Sequence, residues 1–94
     1  MNKHSTACKE YKERFIDLHS FGFCEICTRS DKPLTVHHIY MASLWPKHPE
    51  LHNPENLILV CTYKDGCHEK FHAKAIQDVF SRLEAERNLR ELFK

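Results

Sequence analysis

The sequence predicts a small α+β domain that is organised around bound metal. Two β-rich runs, residues 34–40 and 57–60, lie in the middle of the chain, and segments with helical periodicity lie on both sides of them. The chain also contains five cysteines and eight histidines in 94 residues. A small core has little use for so many imidazoles, whereas metal sites use imidazoles and thiols as ligands.

Length and composition limit the classes of protein to which the chain can belong. A domain of 94 residues buries only about 60–65% of its unfolded surface, and chains of this size often gain stability from bound metal. The sequence contains no apolar run near the ~20 residues of a membrane span and no signal-peptide pattern, which predicts a cytoplasmic protein with no membrane partner. In that compartment thiols stay reduced and favour metal binding over disulfides. The formal charge of +1 does not indicate nucleic-acid binding, which would depend on local patches.

A first helix is predicted at about residues 6–19. Ser5 or Thr6 can cap it, and Tyr11, Phe15 and Leu18 form an apolar stripe at helical spacing. This pattern is typical of a helix that packs over a core.

The four cysteines after this helix predict one structural zinc site. Cys24 and Cys27 are separated by two residues, which lets both sulfurs bind one ion, and Cys61 and Cys67 form a wider second pair. The alternative is a set of buried thiols without a ligand, which reduced intracellular chemistry makes less favourable.

The histidines indicate a second kind of site. His37 and His38 are adjacent in a β-rich run, so they can meet one ion or substrate only near a strand end or a bulge. One could then serve as a metal ligand and the other as a base; the alternative is two half-buried histidines with hydrogen-bond partners. His68 and His72 are four residues apart on a predicted helix, where two imidazoles can share one ion.

The remaining segments predict packing and a helical extension. Residues 41–54 form a proline-containing loop, in which we expect Trp45 to pack on the core and His48 and His52 to face solvent. The residues after Cys67 contain no proline or glycine, which predicts one helix that continues to about Leu92.

The apolar residues of this helix fall into two displaced stripes, the second of which is open to two interpretations. It is either part of a solvated, frayed tail or a contact for a second copy or a protein partner. All proposed ligands precede the end of this helix, which predicts that both metal sites survive removal of the residues after about Arg82. The stripes are Ile76, Val79, Phe80 and Leu83, and then Ala85, Leu89, Leu92 and Phe93.

Four blocks in this order resemble the HNH (His-Asn-His, or ββα-metal) endonuclease family, in its branch with four zinc-binding cysteines. The blocks are Cys24-x2-Cys27, residues 36–39 (Val-His-His-Ile), residues 56–61 (Asn-Leu-Ile-Leu-Val-Cys) and Cys67-His68-x3-His72. They cover about half of the chain. One departure is the spacing of the second cysteine pair, which has five intervening residues where the family commonly has two.

The resemblance implies a small ββα-metal fold, with a two-stranded antiparallel hairpin, flanking helices and a structural zinc site. It implies a single domain over residues 1–94, with an N-terminal helix at about 6–19, a metal-bound core at about 23–75 and a helical extension at about 76–94. It also implies that His38 is the general base, that Asn56 positions the base strand and loop, and that His37, His68 and His72 bind one catalytic ion. That ion would be Mg²⁺, Mn²⁺, Ni²⁺ or Zn²⁺.

The activity implied is metal-dependent hydrolysis of DNA phosphodiester bonds, by nicking or double-strand cleavage with weak sequence preference. A free-standing nuclease of this size is typical of a phage or mobile-element product. Basic residues are expected to bind the flanking phosphates: Arg29, Lys64, Lys70 and Lys74. The alternative function is a non-catalytic zinc module that binds nucleic acid or protein.

Overall fold

A two-stranded antiparallel β-sheet lies between helices, which confirms the predicted α+β class. The computed structural model describes residues 3–64, 66–72 and 76–94, and describes only the backbone of residues 3–5 and 72. In chain order the elements are α1 (Lys3–His19), β1 (Leu34–His38), a 3-10 turn (Pro54–Asn56), β2 (Leu57–Cys61), α2 (Cys67–His72), α3 (Gln77–Glu86) and α4 (Leu89–Leu92).

The strand β2 is the centre of the fold. All five of its residues are buried, as expected for a continuous apolar run that is covered on both faces. Its register with β1 places Val36 opposite Leu59 and His38 opposite Leu57. The second edge of β2 is covered by Glu25, whose backbone N–H donates to the carbonyl of Leu59 at 2.8 Å and whose carboxylate accepts from the Leu59 N–H at 2.6 Å. This contact satisfies an edge that would otherwise be open to another chain.

Helix α1 begins earlier than predicted and packs through a narrower stripe. Phe15 is buried against Phe23 at a ring distance of 4.9 Å, and the Tyr11 hydroxyl donates to the Glu25 carboxylate at 2.8 Å. Leu18, which we predicted in the same stripe, is 80% exposed. Leu18 shares this side of the helix with Tyr11 and Phe15, but it lies in the last turn, where residues 16–20 are all exposed. The helix ends at Ser20, which has a positive φ of 75°.

The predicted continuous helix from Cys67 to Leu92 is wrong. Helix α2 ends at His72, Ile76 has a non-helical backbone, and a second break occurs at Asn88, which adopts the left-handed conformation with φ of 54°. A straight helix of this length would extend about 39 Å. The longest dimension of the protein is 36 Å, so such a helix would leave its apolar residues uncovered.

The break at Asn88 turns the end of the chain back into the core. Leu89 is fully buried and Phe93 is 3% exposed, so these two members of the second apolar stripe are covered within the domain. The Phe93 ring lies 4.7 Å from Tyr40 and 4.5 Å from His48, between ring centroids. Trp45 packs in the same cluster, as predicted, and its ring is stacked on Tyr40. His48 is therefore partly buried rather than solvent-facing, because the tail covers it.

Within the described residues, no helix combines the length and the apolar character that a membrane span requires.

Candidate functional site

The four predicted zinc ligands converge on one point at the end of the β-sheet. The sulfur atoms of Cys24, Cys27, Cys61 and Cys67 all lie within 4.8 Å of one another. The Cys27 and Cys61 sulfurs are 3.8 Å apart, too far for a disulfide. A tetrahedral zinc with Zn–S bonds of about 2.3 Å requires sulfur–sulfur distances of about 3.8 Å. The thiol cluster could therefore hold a metal ion such as zinc with little rearrangement.

The first cysteine pair is held by a tight turn. The Cys24 N–H donates to the carbonyl of Arg29 at 2.9 Å, and the Thr28 N–H donates to the carbonyl of Cys24 at 2.8 Å. Thr28 has a positive φ of 66°, which closes the turn. The Cys27 N–H lies 3.5 Å from the Cys24 sulfur, so a backbone amide points at the thiol. This arrangement is the one expected of the first half of a zinc knuckle.

The wider second pair closes through a glycine that cannot carry a side chain without rearrangement. Gly66 donates its N–H to the carbonyl of Tyr63 at 2.8 Å, and a Cβ atom at Gly66 would lie 2.8 Å from the Tyr63 ring. The chain then enters α2, where the Cys67 N–H points at the Cys61 sulfur at 3.4 Å. The five-residue spacing therefore brings both thiols to the same point as a shorter spacing would.

The pKa values of the thiols in the cluster are shifted in different directions by their surroundings. Burial acts to raise the pKa of the Cys24 thiol, but hydrogen bonds from nearby backbone amides, first that of Cys27, outweigh burial and hold the pKa below its ordinary value. Burial raises the pKa of the Cys61 thiol and raises that of Cys67 strongly, with a further increase from Cys24. Metal binding must displace these protons, so the metal affinity of the cluster rises with pH.

Three of the predicted site histidines lie on one cleft of about 400 Å³. It is lined by His37 and His38 from β1 and by His68 from α2. The His37 and His68 rings are perpendicular, with centroids 5.3 Å apart, and both His37 and His38 are buried. Adjacent strand residues normally point to opposite faces, but His38 is the last residue of β1. A strand end is where the sequence predicted that both could reach one site.

The remaining predicted site residues are His72 and the basic residues expected to bind phosphate. The backbone of His72 lies one helical turn after His68, but its side chain is outside the described part of the structure, and Lys74 lies outside the described residues altogether. Lys64 and Lys70 are exposed. Arg29 is also exposed, but its guanidinium pairs with Asp31 at 3.2 Å and donates to the Tyr63 hydroxyl at 3.0 Å.

The side chain of Asn56 is fully buried and holds two segments of backbone. Its carbonyl oxygen accepts from the Tyr40 N–H at 2.7 Å, and its amide nitrogen donates to the carbonyls of Tyr40 at 3.1 Å and Leu51 at 2.9 Å. Its backbone carbonyl also accepts from the Ile39 N–H at 2.8 Å. These contacts act on the chain just after His38, so any effect of Asn56 on the His38 ring acts through the backbone.

Sequence reasoning missed a histidine on the 41–54 loop. His52, which we predicted to face solvent, is partly buried, and its Nδ1 lies 3.1 Å from the Nε2 of His38. Loop histidines carry no periodic signal, so only the asparagine-proline turn that follows could have hinted at an ordered position.

A second missed group ties the C-terminal region to the segment that carries the first cysteine pair. Arg87 pairs with the Glu25 carboxylate at 3.3 Å and donates to the carbonyls of Glu55, at 3.3 Å, and Leu57. Both side chains of the ion pair are only 17% exposed. Removal of the extension would uncover Glu25 beside Cys24, which makes the extension part of the support of the thiol cluster.

Comparisons of the chain with protein-family models, with curated proteins and with solved structures found no significant match. The function is therefore inferred from the geometry of the described residues and from the motifs of the sequence.

Proposed function

We propose that the chain is a metal-dependent DNA endonuclease that hydrolyses phosphodiester bonds. The observation that carries this proposal is the shared cleft of His37, His38 and His68, with the buried Asn56 side chain bonded to Tyr40, two residues after the strand that supplies the first two. A zinc-binding role alone would use the four thiols and would need none of these imidazoles. The chain order of these residues also follows the HNH pattern described above.

The thiols and the histidines are suited to different ions, a structural zinc and the proposed catalytic ion. Four thiols at tetrahedral spacing fit structural zinc. The neighbouring, perpendicular rings of His37 and His68 are compatible with an ion that accepts nitrogen ligands, and His72 is the proposed third ligand. When bound, a divalent ion would neutralise charge on the phosphate and polarise it towards attack.

His38 is the proposed general base. Imidazole exchanges protons near neutral pH, so a neutral His38 can accept the proton of an attacking water. Its position at the end of β1 places it in the same cleft as the proposed ion ligands, and Asn56 fixes the backbone that follows it. The reaction then needs His38 for proton transfer and His37 and His68 for ion binding.

DNA is the proposed partner, bound mainly through its phosphates. Lys64 and Lys70 present exposed ammonium groups, and Arg29 presents a guanidinium whose Asp31 partner is also exposed. Contacts with phosphate do not read sequence, so the expected sequence preference is weak and the affinity should fall with added salt.

The experiment is plasmid cleavage with and without divalent metal. Wild-type protein is expected to nick or linearise plasmid with Mg²⁺, Mn²⁺, Ni²⁺ or Zn²⁺ and to be inactive with excess EDTA. His38→Ala should lower cleavage by roughly 10²–10⁴-fold with little change in metal affinity, because more metal cannot replace a lost base. His68→Ala should weaken metal binding and regain some activity at high metal concentration. His19→Ala, on the exposed end of α1, is the matched control.

The absence of cleavage under every metal condition would contradict the proposal. Binding of DNA without cleavage would then favour the alternative, a non-catalytic zinc module, which the thiol cluster supports independently of the histidines.

A further inference from the structure

The rings of His38 and His52 are joined by a hydrogen bond, and the proposed function assigns a role to His38 but none to His52. The two ring nitrogens are 3.1 Å apart, and the ring centroids are 5.2 Å apart with an interplanar angle of 70°. Two neutral imidazoles at this distance share one hydrogen between these nitrogens, one as donor and one as acceptor. The contact therefore restrains both the orientation of the His38 ring and the nitrogen that carries its hydrogen.

The backbone of His52 is held on both sides. The carbonyl of Leu51 accepts from the Asn56 side chain at 2.9 Å, and its N–H donates to the carbonyl of His48 at 3.1 Å. After His52, the Asn53 side chain accepts from the Glu55 N–H at 2.9 Å and begins the 3-10 turn. These hydrogen bonds give the loop position of His52 the supporting contacts that a functional side chain requires.

Asn56 connects the two halves of this arrangement. Its side chain binds Tyr40, two residues after His38, and Leu51, one residue before His52. One buried amide therefore fixes the spacing between the two segments that carry the histidine pair. The hydrogen bond between the rings then sets the orientation that the backbone alone leaves open.

We propose that His52 is a positioning residue that orients the His38 ring for proton transfer. This inference rests on the proposed function, in which His38 is the base. A misaligned base lowers the rate of the chemical step and leaves substrate binding unchanged, so loss of His52 should lower kcat and leave KM nearly constant.

The test compares two replacements of His52 that separate packing from hydrogen bonding. His52→Phe keeps an aromatic ring against His38 but removes the nitrogen. His52→Asn loses the ring but places an amide atom the same number of bonds from the backbone as Nδ1, so it can restore the hydrogen bond. We expect kcat on a short DNA duplex to fall by roughly 10- to 100-fold in His52→Phe and to stay within a few-fold of wild type in His52→Asn. His48→Phe is the matched control, because His48 lies on the same loop and stacks on Phe93.

Three results would overturn the inference. Wild-type kcat in His52→Phe would show that the hydrogen bond has no role. Equal losses in His52→Phe and His52→Asn would show that the role is not hydrogen bonding. Weaker divalent-metal binding in His52→Phe, measured by calorimetry, would make His52 an ion ligand.

Failure of the proposed function is recognised separately, because the wild-type protein itself would then not cleave DNA. In that case the ring nitrogens of His38, observed by long-range ¹H–¹⁵N NMR, decide the contact itself. A changed Nε2 signal in His52→Phe and a restored one in His52→Asn support the restraint of His38 by His52, and unchanged signals overturn it.

Discussion

Replacement of Asn56 with alanine tests how the loop that follows β1 is held. The side chain is fully buried and makes three hydrogen bonds, one from the Tyr40 N–H and two to the carbonyls of Tyr40 and Leu51. Alanine leaves these three buried groups without their partner, at about 1–3 kcal/mol for each group that stays unsatisfied. Allowing for partial relaxation, we expect a loss of roughly 3–5 kcal/mol in the free energy of unfolding. A domain of this size has about 5–14 kcal/mol in total.

The assay is urea unfolding in saturating zinc, with Asn53→Ala as the control. Asn53 lies on the same segment, but its side chain is only partly buried, where it caps the 3-10 turn and donates to the Glu50 carboxylate at 2.8 Å, so its loss should cost roughly 1–2 kcal/mol. Asn56→Asp adds a second comparison, because a carboxylate can accept from Tyr40 but cannot donate to two carbonyls, and it should destabilise at least as much as alanine. A loss in Asn56→Ala no larger than that in Asn53→Ala would refute the reasoning.

Three further changes test the thiol cluster and the tail. Cys67→Ser should reduce the amount of zinc bound per protein, measured by atomic emission, and should also reduce the melting temperature. Cys8→Ser, outside the cluster, should change neither quantity. Gly66→Ala should lower the free energy of unfolding in urea by roughly 1–3 kcal/mol. Gly22→Ala should lower it less, because the nearest neighbour of Gly22 is a movable leucine methyl, and the reverse order would contradict the turn geometry. Leu89→Ala should cost about 2–5 kcal/mol in the same assay, and a loss below about 1 kcal/mol would show that α4 does not complete the core.

The parts of the fold that were predictable are those encoded by local patterns. The thiol spacing at Cys24 and Cys27 depends on a turn of a few residues, and the strand at 57–61 is a continuous apolar run bounded by a turn. Such signals need no knowledge of distant contacts. The two strands and the two cysteine pairs were accordingly found from local patterns, whereas the antiparallel pairing was expected from the family resemblance and the convergence of the thiols from their capacity to share one ion.

The break at Asn88 had only a weak local signal. The segment contains neither glycine nor proline, but asparagine is a poor helix former and, after glycine, the residue that most often takes the left-handed conformation at a helix end. What decides the break is the size of the domain, since Leu89 and Phe93 can reach the core only if the chain turns. Tertiary packing overrides helix propensity at this point, and a periodicity argument cannot detect that.

The two polar contacts were missed because they join residues that are far apart in the sequence. His38 and His52 are separated by fourteen positions, and Glu25 and Arg87 by sixty-two. No spacing rule links residues across such distances. Only the folded chain brings His52 beside the end of β1 and Arg87 beside Glu25.

The short strand β2 also determines how the two candidate sites can affect each other. The thiol cluster lies at its end, at Cys61, whereas the buried Asn56 lies just before its start, about 17 Å away at 3.4 Å per residue. Helix α2 provides a shorter link, because Cys67 belongs to the cluster and the next residue, His68, lines the histidine cleft. Zinc at the thiols would therefore fix the proposed ion ligand His68 directly, and would act on the proposed base His38 only through the sheet. Zinc binding and base positioning are thus supported by separate contacts, and damage to one need not remove the other.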